Sequence, residues 1–319
     1  MGTPIPFLGL LLPALLAPPS PQPAGAWRDP SPHAVRLVAV EKEVQLEVLD
    51  WGGSGRPLVL LAGGGNTAHV FDASGFSPSE NAVDRLRDDV LAVIDALGLE
   101  RPVLAGHSIA GAELSAVAAS RPGRIAGVVY LEAAYPYAFQ SGSGPTMKQF
   151  LDNNGPRAPT PGGPDRASFN ALQEWDAATF GFRTPESEFR QTWEATRDGR
   201  PRSAREFPGM KTVMAALMDT RAYATIPVPV LAVFASPHVP EPWVGRSRDP
   251  AVRKTAGAYL EALNALTETQ ASALANGVPN ARVVRLRGTH FIFLSNETDV
   301  LSEMRAFLGV LSRDALPGV

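Results

Sequence analysis

The chain has 319 residues, 45% of them apolar and 19% charged, with a formal net charge of −3. That is enough apolar material for one large buried core, and too little positive charge for a nucleic-acid binder that runs on bulk electrostatics. The absence of cysteine excludes thiol catalysis, zinc-thiolate sites and disulfide scaffolds, and five scattered histidines speak against a metal enzyme.

Phe7 to Ala17 is an apolar run, too short to cross a bilayer and broken by Pro13. It is followed by a Pro-rich stretch and by Ala24-Gly25-Ala26, a small-x-small signal-peptidase pattern. Residues 1–26 therefore read as a signal peptide cleaved near Ala26, with a secreted or periplasmic product; an unprocessed leader would leave the protein cytoplasmic. No other segment is long and apolar enough for stable membrane insertion.

Ala34–Val40 and Val44–Asp50 read as a hairpin. Leu58–Ala62 is a continuous apolar run suited to a strand buried on both faces. Helical periodicity runs from Glu80 to Leu97, between a Ser79 cap and Gly98. Pro102–Ala105 predicts a strand, Ile109–Ser120 a helix, and Ile125–Leu131 a further buried strand. This alternation is the rhythm of a parallel sheet covered by helices on both faces.

The rhythm breaks at residue 135. Residues 135–225 predict a mostly helical insert of lid size, with helices at Ser168–Phe180, after a Thr184 cap, and at Pro208–Thr220. Core strands resume at Val228–Phe234 and Arg282–Leu286. Asp249-Pro250 opens a long helix ending near Gly277, and Asn296–Leu311 is the last helix. The division is thus a leader (1–26), a first core part (27–134), the insert (135–225) and a second core part (226–319).

Chemistry concentrates in Val103-Leu104-Ala105-Gly106-His107-Ser108-Ile109-Ala110-Gly111. An apolar strand enters a tight turn carrying one serine, and a helix leaves it. Small residues two before and two after the serine, Gly106 and Ala110, are what a sharp strand-to-helix turn needs. Such a turn lifts the hydroxyl above the sheet edge at a helix N-terminus, where developing negative charge is favoured.

On these residues the chain resembles the α/β-hydrolase fold superfamily, in particular its capped serine hydrolases, over most of Val35–Leu311. The resemblance implies an α/β fold with a mostly parallel sheet and a helical lid inserted between two core strands. It implies that Ser108 is the nucleophile and that His290, in Arg287-Gly288-Thr289-His290-Phe291 after the last strand, is the general base. The orienting carboxylate is Glu132, at the end of a buried strand, with Glu241 as the alternative acid. The oxyanion hole combines the N–H of Ile109 with that of Gly64 in Ala62-Gly63-Gly64-Gly65-Asn66, Gly65 lying close behind. His107 is expected to point away from the hydroxyl and to pack or hydrogen-bond locally. His238 could line the pocket.

The chain departs from the pattern between Gly65 and Ser108. This span holds one helix but lacks room for the helix–strand unit of roughly 20–30 residues that the fold carries there. The join falls after Asp72, and the missing strand would have lain between the hairpin and Leu58–Ala62, leaving an exposed edge or a displaced hairpin.

The expected function is hydrolysis of a small-molecule carboxylic ester, or a related acyl bond, through an acyl-enzyme, with no cofactor, no metal and no nucleic acid. Two alternatives stay open: the same triad acting on amide or C–C bonds, and a non-catalytic relative that only binds a ligand.

Overall fold

The computed structural model describes residues 27–41, 44–63, 82–133, 155–205, 225–279 and 281–313. Contacts divide the chain into Met1–Pro32 and His33–Val319. In the first unit Ser31 N–H donates to the Asp29 carboxylate at 2.8 Å; everything below concerns the second. The leader, the Gly64 loop, the join after Asp72 and the expected helix at Pro208–Thr220 lie outside the described residues.

The elements run in the order β1 (Ala34–Glu41), β2 (Val44–Asp50), β3 (Leu58–Leu61), α1 (Ala82–Ala96), β4 (Val103–His107), α2 (Ala110–Ser120) and β5 (Gly127–Leu131). There follow α3 (Phe169–Phe180), α4 (Glu186–Thr192), β6 (Trp193–Ala195) and β7 (Pro201–Ala204). The chain then continues through β8 (Val230–His238), α5 (Pro242–Arg246), α6 (Pro250–Gly277), β9 (Arg282–Gly288), α7 (Ile292–Ser295) and α8 (Glu297–Arg313). The central sheet has the order β3-β4-β5-β8-β9 and is parallel throughout.

Strand side chains alternate between two cores, because successive Cβ atoms point to opposite faces of a sheet. Leu104, Val128, Tyr130, Val230 and Phe234 pack with Ile94 of α1, Leu114 and Val117 of α2 and Leu274 of α6. Val103, Val129, Leu231 and Val233 pack on the other face with Ile292 of α7 and with Val300, Met304 and Phe307 of α8. With both faces covered, each buried aliphatic side chain contributes about 1.5–3 kcal/mol.

The β3 side of the sheet differs. Val59 and Leu61 lean on the first core. Leu58 and Leu60, in register with Val103 and Ala105, face the second core's side and stay exposed, Leu60 by 57%. Among the described residues β3 is the sheet's edge, and β1 and β2 pair only with each other. The hairpin meets α1 through β1 and buries Val38, while Val35 and Leu37 remain exposed. The span between Gly63 and α1, where the helix–strand unit was expected to be missing, lies outside the described residues.

The described part of the segment between β5 and β8 holds α3 and α4 but also the hairpin β6–β7, which periodicity did not indicate. Ser168 caps α3 by accepting from Ala171 N–H, as its sequence suggests. The expected Thr184 cap is displaced. Pro185 takes the cap position of α4, and Thr184 Oγ1 donates to Asp176 at 2.8 Å instead. Asp249 caps α6 through Ala251 N–H.

Candidate active site

Ser108 leaves β4 with φ of +54°, in the left-handed region that costs a non-glycine residue about 1–3 kcal/mol. The surroundings enforce this turn. A Cβ on Gly106 would meet Ala110 Cβ at 2.7 Å, and one on Gly111 would lie 1.4 Å from the Ala133 carbonyl oxygen. Only small residues therefore let α2 start directly above β4 and press against the end of β5. Gly111 N–H donates to Ser108 O at 3.0 Å and Ala112 N–H to Ile109 O at 2.9 Å. Ser108 and Ile109 thus stand at the head of α2, where N–H groups lack intrahelical partners.

His290 sits in the turn between β9 and α7. Its carbonyl oxygen accepts from His107 Nε2 at 2.9 Å, and the two rings lie 4.6 Å apart between centroids. The partner of His107 is far off in sequence, so the bond is not local as expected. By donating from Nε2 it keeps Nδ1 unprotonated, and burial depresses the ring to about 4. His290 is held well below the ordinary histidine value, first by burial and then by the facing charges of His107 and His238. A neutral imidazole is the form that accepts a proton.

Glu132 ends β5 with φ of +49° and is 0% exposed. Its N–H donates to Val233 O at 2.8 Å, and its Oε2 accepts from Ala235 N–H at 2.6 Å. Its Oε1 lies 3.0 Å from His238 Nε2, not from His290. The carboxylate expected to orient His290 thus meets a different imidazole at the end of β8. His238, expected only to line the pocket, is thus the partner of Glu132, and its place just after a buried strand is the signal the sequence carries for it.

The ends of β8 and β9 are tied together. His238 pairs with Gly288, and Val239 N–H donates to Gly288 O at 2.8 Å. This brings the His238 and His290 segments side by side. Glu241 points elsewhere. It precedes α5, accepts from the Trp243 indole N–H at 2.6 Å, and is pushed up by burial. Its charge faces Asp176 of α3 and Tyr259 of α6. The segment between β5 and β8 approaches His290's neighbour through Phe182, whose ring lies 5.3 Å from that of Phe291. Among the described residues no group of three or more acidic or histidine side chains is arranged to hold a metal ion, and no helix is long and apolar enough to cross a membrane.

A strained serine at a strand-to-helix turn on a helix-covered parallel sheet marks one class of fold, and the chain belongs to it: the alpha/beta hydrolase family matches residues 48–303. Among solved structures, E-2-(acetamidomethylene)succinate hydrolase superposes with a TM-score of 0.52 at 16% identity, over 87% of this chain and 99% of that one. A probable hydrolytic enzyme from Pseudomonas aeruginosa gives a TM-score of 0.52 at 14% identity, over 88% and 96%. These likenesses are of fold. A comparison with curated protein sequences finds no match.

Proposed function

We propose that the protein is a serine hydrolase that cleaves a small-molecule carboxylic ester or related acyl bond. The observation that carries this reading is the Ser108 turn, strained at φ +54° at the head of α2, with His290 held against the preceding residue, His107. Ser108 Oγ attacks the acyl carbon and passes its proton to His290. The oxyanion is met by the N–H groups of Ile109 and Gly64. The tetrahedral species collapses, His290 returns the proton to the leaving alcohol, and water releases the acyl group by the same steps in reverse order. Glu132 supplies the negative charge of the site, and Glu241 is the alternative acid. No metal or organic cofactor is required. The insert acts as a lid over the acyl site, a reading supported by the contact of Phe182 with Phe291. The signal-peptide pattern at residues 1–26 supports a secreted or periplasmic enzyme, cytoplasmic if the leader is not processed.

A fluorophosphonate probe labels the wild-type protein and not Ser108→Ala, and turnover of p-nitrophenyl esters falls at least about 1000-fold in that variant. Folded protein that carries no Ser108-dependent label would overturn the reading. That outcome would favour the second reading, ligand binding without turnover.

A further inference from the structure

Glu132 is wholly buried and His238 nearly so. Each has one atom, Oε1 and Nε2, that forms no aligned hydrogen bond, and these two atoms lie 3.0 Å apart. Two buried polar atoms that face each other and nothing better are costly unless a proton sits between them. The other side of the His238 ring settles where protons are needed. Asn264 of α6 accepts the His238 backbone N–H on Oδ1 at 2.7 Å, which fixes that atom as the amide oxygen. The same Oδ1 lies 3.1 Å from His238 Nδ1. An amide oxygen has only lone pairs to offer, so Nδ1 must carry a hydrogen. With Nδ1–H committed to Asn264, a neutral His238 would aim the lone pair of Nε2 at the lone pairs of Glu132 Oε1.

We propose that His238 is the positioning residue of the site: with a proton on each ring nitrogen it ties the Glu132 carboxylate to Asn264 of α6 and fixes it at the end of β5, the strand paired with the one that leads into Ser108. The proposal rests on the reading of Ser108 and His290 as the reacting pair and adds a residue that the triad alone does not contain. Glu132 is then held by three elements. Its own β5 carries it, Ala235 N–H of β8 takes Oε2, and the His238 ring, braced by α6, takes Oε1.

The groups that face this ring come from each neighbouring element. Glu132 comes from β5 and Asn264 from α6. His290, in the turn after β9, is within electrostatic reach. Glu268, one turn further along α6, reaches Ser236 of β8 but is committed to Arg285 of β9 at 2.7 Å. One negative charge, that of Glu132, therefore answers the charge on His238. The positive ring also bears on His290, because two imidazolium ions side by side repel. While His238 keeps its second proton, His290 is held neutral and ready to accept one.

The test compares wild type with His238→Ala and His238→Gln, each checked for folding by circular dichroism. Glutamine still donates to Glu132 but carries no charge. We expect kcat for a p-nitrophenyl ester to fall by about tenfold or more in the alanine variant, the cost of one charge-assisted hydrogen bond, with KM unchanged. Glutamine restores most of that loss and moves the acid limb of kcat/KM to higher pH. Equal kcat and an unmoved limb in both variants would overturn the proposal. A readout independent of turnover is the ring ¹⁵N spectrum at neutral pH. His238, assigned by its loss in His238→Gln, gives two protonated nitrogens; one protonated and one bare nitrogen would overturn the proposal. If the fluorophosphonate fails to label Ser108, the hydrolase reading falls while this spectrum still decides the state of His238.

Discussion

The two halves of the central sheet are built to different standards. β4, β5 and β8 are buried on both faces along almost their whole length, and Ser108, Glu132 and His238 sit at their C-terminal ends. At the other end of the sheet β3 shows Leu58 and Leu60 to solvent, and the β1–β2 hairpin exposes Val35, Leu37 and Trp51. The difference follows from what packs where. Helices α1, α2 and α6 lie on one face and α7 and α8 on the other, but among the described residues none covers β3 on the second side. Among the described residues an exposed rim thus coexists with well-buried strands that carry Ser108, Glu132 and His238 at their ends.

That contrast can be broken most sharply at the contact between α2 and the end of β5. Gly111→Ala forces a methyl group onto the Ala133 carbonyl, where backbone has to move. We expect a loss of about 3 kcal/mol or more and a largely unfolded protein, read by thermal melting. A soluble variant with wild-type melting would show that the site half is looser than its packing implies.

The next effect is in pH and belongs to the site half alone. His107 is buried neutral, with its ring depressed to about 4, whereas the unfolded chain takes up a proton near the ordinary value of 6.5. The unfolded state therefore binds more protons between those two values. The stability held by neutral His107 is complete above the upper value and is lost as pH falls toward the lower one. His290, also held below the ordinary value, acts in the same sense. Burial pushes Asp176 and Glu241 up, so they act in the opposite sense, their contribution being lost as pH rises above the ordinary carboxylate range. His107→Gln should flatten the acid side of a plot of melting temperature against pH without touching the alkaline side. An unchanged acid slope would remove His107 from the account.

The smallest effect is expected at the rim. Leu60→Lys, on the open side of β3, should change stability by no more than about 0.5 kcal/mol while raising soluble yield, because a charged edge resists pairing with other chains. A large loss of stability would mean that Leu60 is covered in solution and that the two halves are more alike than they look.

The strands and helices of the core were legible because both of their periods are written in adjacent residues. The serine turn was legible because small residues, Gly106, Ala110 and Gly111, bracket Ser108 between an apolar strand and a helix. The partner of Glu132 was not. The carboxylate and His238 are brought together only by the pairing of β5 with β8, and nothing near either residue says which imidazole lies across that seam. The β6–β7 hairpin escaped notice for a different reason. Trp-Glu-Ala and Pro-Arg-Ser-Ala are too short and too exposed to show alternation. The move of the α4 cap from Thr184 to Pro185 was decided by Asp176, which claims the threonine hydroxyl from the neighbouring helix.

The position of Asn264 gives the long helix α6 a timing role. Its 28 residues bridge β8 and β9, and at about 3.6 residues per turn each added or deleted residue swings the following side chains by about 100°. The amide that braces His238 lies midway along that helix. A single-residue insertion near Pro250 would leave the sheet pairing intact yet rotate Asn264 out of phase with the ring it serves. The site is thus keyed to the helix's angular register as well as to the loops that carry its reacting groups.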